Sequence, residues 1–211
     1  MKKLIHKLTP FISIQFVFIL LITLVLFRFN KNEAHVWVNQ YQYAFLNYLF
    51  YILTYSVEFW GCLAIYIIIA VFKSYKYALI GLITYAVSGL ITQLLKRNVF
   101  TEYKRPTFNI ENLNLLPSYF NYETHHYFSF PSGHATAAFS LFVFLTLISK
   151  QRTWGFFYGF LACLTAFSRV YLSQHYFIDV LFGSLIGTIT TIILFQYLIK
   201  VKLGKSESKL S

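Results

Sequence analysis

Residues 130–140 read Phe-Pro-Ser-Gly-His-Ala-Thr-Ala-Ala-Phe-Ser (FPSGHATAAFS) and lead into the charge-free run 135–149. A helix entering hydrocarbon has no need of a Pro-Ser-Gly-His start. Ser132 is a good N-cap residue, because its hydroxyl accepts a hydrogen bond from an otherwise unpaired first-turn amide. Gly133 leaves that backbone accessible. A helix beginning there points its free N–H groups and its positive dipole end outward, which suits a bound anion. The stretch predicts an apolar helix whose first turn receives phosphate.

The rest of the chain agrees with a membrane setting. Of 211 residues, 57% are hydrophobic, 21% aromatic and only 12% charged. A soluble domain carries about twice that charged fraction. Neither repeats nor a Pro/Ser/Gly-rich linker divide the chain, so 1–211 reads as one domain with a short basic tail, 200–211. The net charge of +11 comes from cations that punctuate apolar runs. That pattern points to topology control and anionic lipid contact, not to a nucleic-acid partner. Cys62 and Cys163 lie inside apolar runs without metal-like or disulfide-like spacing, and read as small buried apolar residues.

Charge-free runs occupy 10–27, 77–95, 135–149, 153–168 and 180–199. A spanning helix needs about 20 mostly apolar residues. The run 59–72 reaches that length only if its helix starts near Ile52 and takes in Glu58. The aromatic stretch before it reads as an interfacial helix. The first run lacks a small-residue cleavage site and reads as an uncleaved transmembrane helix. The expected fold is all-α, with six transmembrane helices. With both termini cytoplasmic, eleven of the 18 Lys and Arg residues lie inside. Lys96, Arg97, Lys104, Arg105 and Arg169 break the rule by falling in two outer loops.

Three polar clusters then share the outer face: Lys96–Pro106, Pro131–His134 and Ser168–Asp179. Arg105 and Arg169 offer planar forks that match phosphate oxygens, and Lys96 adds a point charge. Phosphoryl transfer needs mostly positioning and charge stabilisation, which these groups supply without a metal. His175 and Asp179 are four residues apart and would share a helix face. A carboxylate on one ring nitrogen fixes the tautomer and makes the other nitrogen a better nucleophile. His134 is then the general acid for the leaving oxygen.

Pro-Ser-Gly-His at 131–134 and Ser-Arg-x5-His-x3-Asp at 168–179, preceded by Arg105-Pro106, resemble the motifs of the type 2 phosphatidic acid phosphatase (PAP2) family. That family also resembles vanadium haloperoxidases and glucose-6-phosphatase. The resemblance implies a six-helix phosphatase that needs no metal or other cofactor, with His175 as nucleophile, Asp179 as its partner and His134 as acid. It makes Arg105, Ser132, Gly133 and Arg169 the phosphate cradle. One departure stands out. The family's first motif has Lys, six residues, then Arg-Pro, and here Asn98 occupies the Lys position, with Arg97 one residue earlier and Lys96 two. A local shift at the end of the third span would let Lys96 serve, so the first cation is open between Lys96 and Arg97.

The expected activity is hydrolysis of a lipid phosphate or diphosphate at the extracytoplasmic face of the cell (inner) membrane. The substrate candidates are an isoprenyl diphosphate, phosphatidylglycerol phosphate, phosphatidic acid or a lipid A phosphate. Two alternatives use the same sequence differently: a lipid phosphotransferase acting through His175, and a non-enzymatic channel or lipid-binding protein. A haloperoxidase does not suit a membrane-embedded chain this short. Blander expectations attach to other polar residues. Glu58 reads as an outer-interface residue, Lys104 as a solvated loop charge, and His125 and His126 as exposed.

Overall fold

The computed structural model describes residues 2–111, 113–115 and 125–207; Lys209 and the rest of 208–211, in the expected tail, lie outside them. All regular structure among these residues is helical. Hydrocarbon offers no partner for backbone N–H and C=O groups, and helices satisfy them internally. The chain runs through α1 (Lys2–Arg28), α2 (Lys31–Asn39), α3 (Ala44–Ser56), α4 (Phe59–Ile69), α5 (Tyr75–Asn98), the single turn α6 (Pro106–Asn109), α7 (Gly133–Ile148), α8 (Trp154–Tyr171) and α9 (Phe177–Glu207).

By length and composition, three helical stretches of the described residues can cross a membrane: Leu4–Arg28, Phe59–Asn98 and Phe177–Lys200. The second is a hairpin. A π-helical turn, Ala70–Ser74, ends α4, and Ser74 is extended (φ −174°, ψ 127°). Beyond it α5 folds back, so that the rings of Tyr66 and Tyr85 lie 6.3 Å apart. Helix α7 is apolar but shorter, at 16 residues.

The second expected span differs in its start. The chain does not run helically from Ile52 through Glu58. Helix α3 stops at Ser56, Val57 leaves the helical region (φ −107°, ψ 4°) and Glu58 is extended (φ −71°, ψ 173°) before α4 begins. The break keeps a carboxylate out of a helix interior facing hydrocarbon, where a charge costs several kcal/mol.

Helix α7 is the axis of the bundle. Ala135, Ala138, Phe139, Leu141, Val143 and Phe144 are fully buried on it, and α9, α8, α5 and α1 pack around it. Small residues set the closest approach. A Cβ on Gly183 would lie 2.6 Å from the Ser132 carbonyl, and one on Gly187 2.4 Å from that of Thr136. Only glycine lets α9 press against the first turn of α7, as at small-residue interfaces in membranes. Side-chain hydrogen bonds tie the helices laterally: Thr191 Oγ1 to Ser140 Oγ at 2.8 Å, Thr92 Oγ1 to Thr136 Oγ1 at 3.0 Å, and Thr188 Oγ1 to Gln15 Oε1 at 3.0 Å. The outward faces of α1, α4 and α9 carry exposed Phe16, Leu20, Ile67, Ile189 and Ile193. Such an apolar exterior suits lipid and not water.

Candidate active site

The three polar clusters meet in one cavity of about 420 Å³ at the start of α7, lined by Lys96, Arg105, Gly133, His134, Arg169 and His175, with Tyr55, Glu58, Gln93, His125 and Gln174 completing its wall. The first turn of α7 forms its floor as the sequence predicts. Ser132 is the N-cap and accepts the Ala135 amide at 3.3 Å. A Cβ added at Gly133 would meet nothing within 4 Å, so this turn faces open space. The Ser132 amide itself donates to the Asp179 carbonyl at 3.0 Å, which ties the floor to α9.

His175 lies in the loop between α8 and α9, not on the helix face expected for it. Asp179 stands in the first turn of α9 and reaches back. Its Oδ2 accepts from the Tyr176 amide at 2.9 Å, from Ser129 Oγ, and from His175 Nδ1 at 3.3 Å. This is half of a capping box turned to another use. His175 and Asp179 are each 1% exposed. A carboxylate accepts only, so the proton sits on Nδ1 and the Nε2 lone pair is left for chemistry. Burial first, then the charges of Arg105, Lys96, Arg169 and His134, holds the His175 imidazole well below the ordinary histidine value of 6.5.

The cations are held from behind. Arg105 Nε donates to the Tyr127 carbonyl at 3.0 Å, and its Nη1 donates to Gln174 Oε1 at 2.7 Å. Arg169 Nη1 donates to Thr54 Oγ1 at 2.9 Å, which locks α8 to α3. Lys96, 6% exposed, lies on the cavity wall, while Arg97 and Asn98 are exposed. Three successive residues of a helix end point in different directions, since each advances about 100° around the axis. Only Lys96 of the three borders the cavity among the described residues.

His134 differs from His175 in setting. Its side chain is 28% exposed, and its Nε2 donates to Glu58 Oε1 at 3.0 Å. That hydrogen bond holds the Glu58 carboxyl below its ordinary value, against the opposite effect of burial. Glu58, expected only as an outer-interface residue, thus borders the cavity and pairs with His134. His125 and His126 are exposed, as expected, and His125 borders the cavity. Sequence reasoning passed over Ser129, Thr54 and Gln174. These are polar residues with no motif of their own, placed by tertiary contact alone.

The matches to known proteins follow this geometry. Residues 77–202 match the family model of the PAP2 superfamily. A Drosophila melanogaster protein named "Putative phosphatidate phosphatase" is 39% identical over 80 residues, which cover 33% of this chain and 21% of that protein; the match thus spans about a fifth of the relative's length. The crystal structure of Aquifex aeolicus LpxE superposes with a TM-score of 0.66 at 26% identity, covering 78% of this chain and 94% of that one. The first transmembrane PAP2-type phosphatidylglycerolphosphate phosphatase from Bacillus subtilis superposes with a TM-score of 0.62 at 21% identity, over 91% of this chain and 97% of that one, and at that identity it speaks for the fold alone. With its matched segment running from α5 through α9 and its membrane-length apolar helices, the chain is an integral membrane protein that belongs to the PAP2 superfamily.

Proposed function

We propose that the protein hydrolyses a phosphate or diphosphate carried on a membrane lipid, through a phosphohistidine at His175. The observation that carries this reading is the junction of three distant clusters in one cavity: a histidine paired with a buried carboxylate, a second histidine, three cations and an open helix N-terminus. His175 Nε2 attacks phosphorus, and the bond from phosphorus to the leaving oxygen breaks. His134 gives its proton to that oxygen. Lys96, Arg105, Arg169 and the first-turn amides of α7 take up the charge spread over the equatorial oxygens. Water, deprotonated by His134 acting in reverse, then releases phosphate and restores His175.

A lipid is favoured by what lies beside the cavity. A second space of about 440 Å³ shares Glu58, Gln93, Gly133 and His134 with it and continues along Val57, Phe59, Tyr85, Ala86, Gly89 and Ala137. A headgroup in the first space leaves its chain next to the second. In the proposed topology α1, α4, α5, α7, α8 and α9 cross the membrane, both termini are cytoplasmic, and the cavity opens to the extracytoplasmic side. Such a face suits recycling of an isoprenyl diphosphate carrier. Phosphatidic acid joins the panel through the name of a relative, and phosphatidylglycerol phosphate and a lipid A phosphate complete it.

The test is phosphate release by detergent-purified protein across those lipids with chelator present, beside His175→Ala. Release that survives the chelator and vanishes in the variant is the expected result. Equal release by the variant removes His175 from the chemistry, and loss of release with chelator assigns the reaction to a metal.

A further inference from the structure

We propose that Glu58 is the positioning residue of the acid: its carboxylate orients the His134 ring and favours a proton on it for delivery to the leaving oxygen of the lipid phosphate. The inference rests on the reading of His134 as general acid.

Three observations carry it. First, Glu58 is the only carboxylate among the described residues that line the cavity. His134 is faced by Lys96 from α5, Arg105 from the turn before α6, Arg169 from α8, and His175 and His125 from loops. Every cation in that ring opposes a proton on the imidazole, and the carboxylate 3.0 Å away favours it. An acid that must give up a proton at neutral pH needs that counterweight. Second, Glu58 occupies the N-cap of α4 yet makes no cap hydrogen bond with its side chain. The carboxylate serves His134 in place of its own helix. Third, the backbone is built for this. The break at Val57–Glu58 turns sharply enough that a Cβ on Gly61 would lie 2.3 Å from the Ser56 carbonyl. A continuous helix through Glu58 would turn the carboxylate elsewhere.

The balance of the step is simple. The bond from His175 Nε2 to phosphorus forms and the bond from phosphorus to the lipid oxygen breaks. The proton moves from the His134 imidazolium to that oxygen, and a lipid alcohol departs. Neutral His134 stays hydrogen-bonded to Glu58, ready to take the proton of the attacking water.

A leaving-group comparison tests it. Two phosphomonoesters with the same tail are used, one with an alkyl and one with a nitrophenyl leaving oxygen, and kcat/KM is read because it runs from free enzyme and substrate through departure of the leaving group and excludes the later hydrolysis. A nitrophenolate leaves without help from an acid. Glu58→Gln is expected to lower kcat/KM about 10- to 100-fold on the alkyl ester and less than about 3-fold on the nitrophenyl ester, a loss that reaches only the lower end of the ~100- to 10,000-fold span of general acid catalysis because the acid itself remains. The basic limb of its pH profile moves to lower pH, and Glu58→Asp recovers part of the loss. His134→Ala shows the same selectivity more strongly. Equal losses on both esters in Glu58→Gln, or no loss on the alkyl ester, overturn the role of Glu58 while His134→Ala keeps its selectivity. Loss of selectivity in His134→Ala itself overturns the reading of His134 as acid.

Discussion

The two histidines of the cavity are built alike and set differently. Each hydrogen-bonds a carboxylate through one ring nitrogen, His175 to Asp179 and His134 to Glu58. The first pair is sealed, with 1% exposure on both sides, whereas the second shows 28% and 38%. Asp179 also accepts from Ser129 and the Tyr176 amide, so His175 is held in a buried, fixed setting. The His134 pair sits where two cavities join. The difference follows from the proposed work. A nucleophile needs one fixed direction, while an acid that later serves as base must admit both a departing lipid and an entering water.

Substitutions can break this contrast. The largest effect is expected for His175→Ala, which removes the atom that bonds phosphorus; phosphate release should fall at least about 1000-fold with the fold retained. Asp179→Asn keeps the shape but unsettles the tautomer, and a fall of about 100-fold or more in kcat is expected. In the cation wall, Lys96→Ala should cost about 100-fold in kcat, as for loss of one charge-stabilising donor, whereas Arg97→Ala should stay within about 2-fold. A large loss in Arg97→Ala would reassign the first cation. Gly187→Ala tests the scaffold beneath the sealed half. Its Cβ would meet the Thr136 carbonyl at 2.4 Å, and about 1–3 kcal/mol of stability should be lost in a thermal melt in detergent.

The smallest effect concerns pH. The folded value of His175 is depressed, so protonation begins only below the ordinary 6.5. As pH falls through 6.5 the nucleophile stays neutral, and kcat/KM should hold level before declining in more acid solution. A decline centred at 6.5 or above would show that burial does not protect His175.

Much of the site was legible in the sequence because its residues carry local signals. Ser132 and Gly133 announce a helix start by type alone, and Arg169, His175 and Asp179 fall within one short segment. What was not legible depends on distance or on direction. Glu58 lies 76 residues from His134, and its role rests on a helix break that hydropathy smooths over. Lys96 and Arg97 are adjacent in sequence, and only the angle of the last turn of α5 decides between them. Gly183 and Gly187 read as ordinary small residues in an apolar run, although without them α9 would not reach the floor of the cavity.

The most direct test of the central claim is to trap the intermediate in His134→Ala. With a nitrophenyl phosphate the first step needs no acid, while the second lacks its base. The account predicts a burst of one nitrophenol per protein, with radiolabelled phosphate retained on His175 through alkaline work-up and lost in acid. Nitrophenol released with no label on the protein, or with the label on another residue, would contradict it.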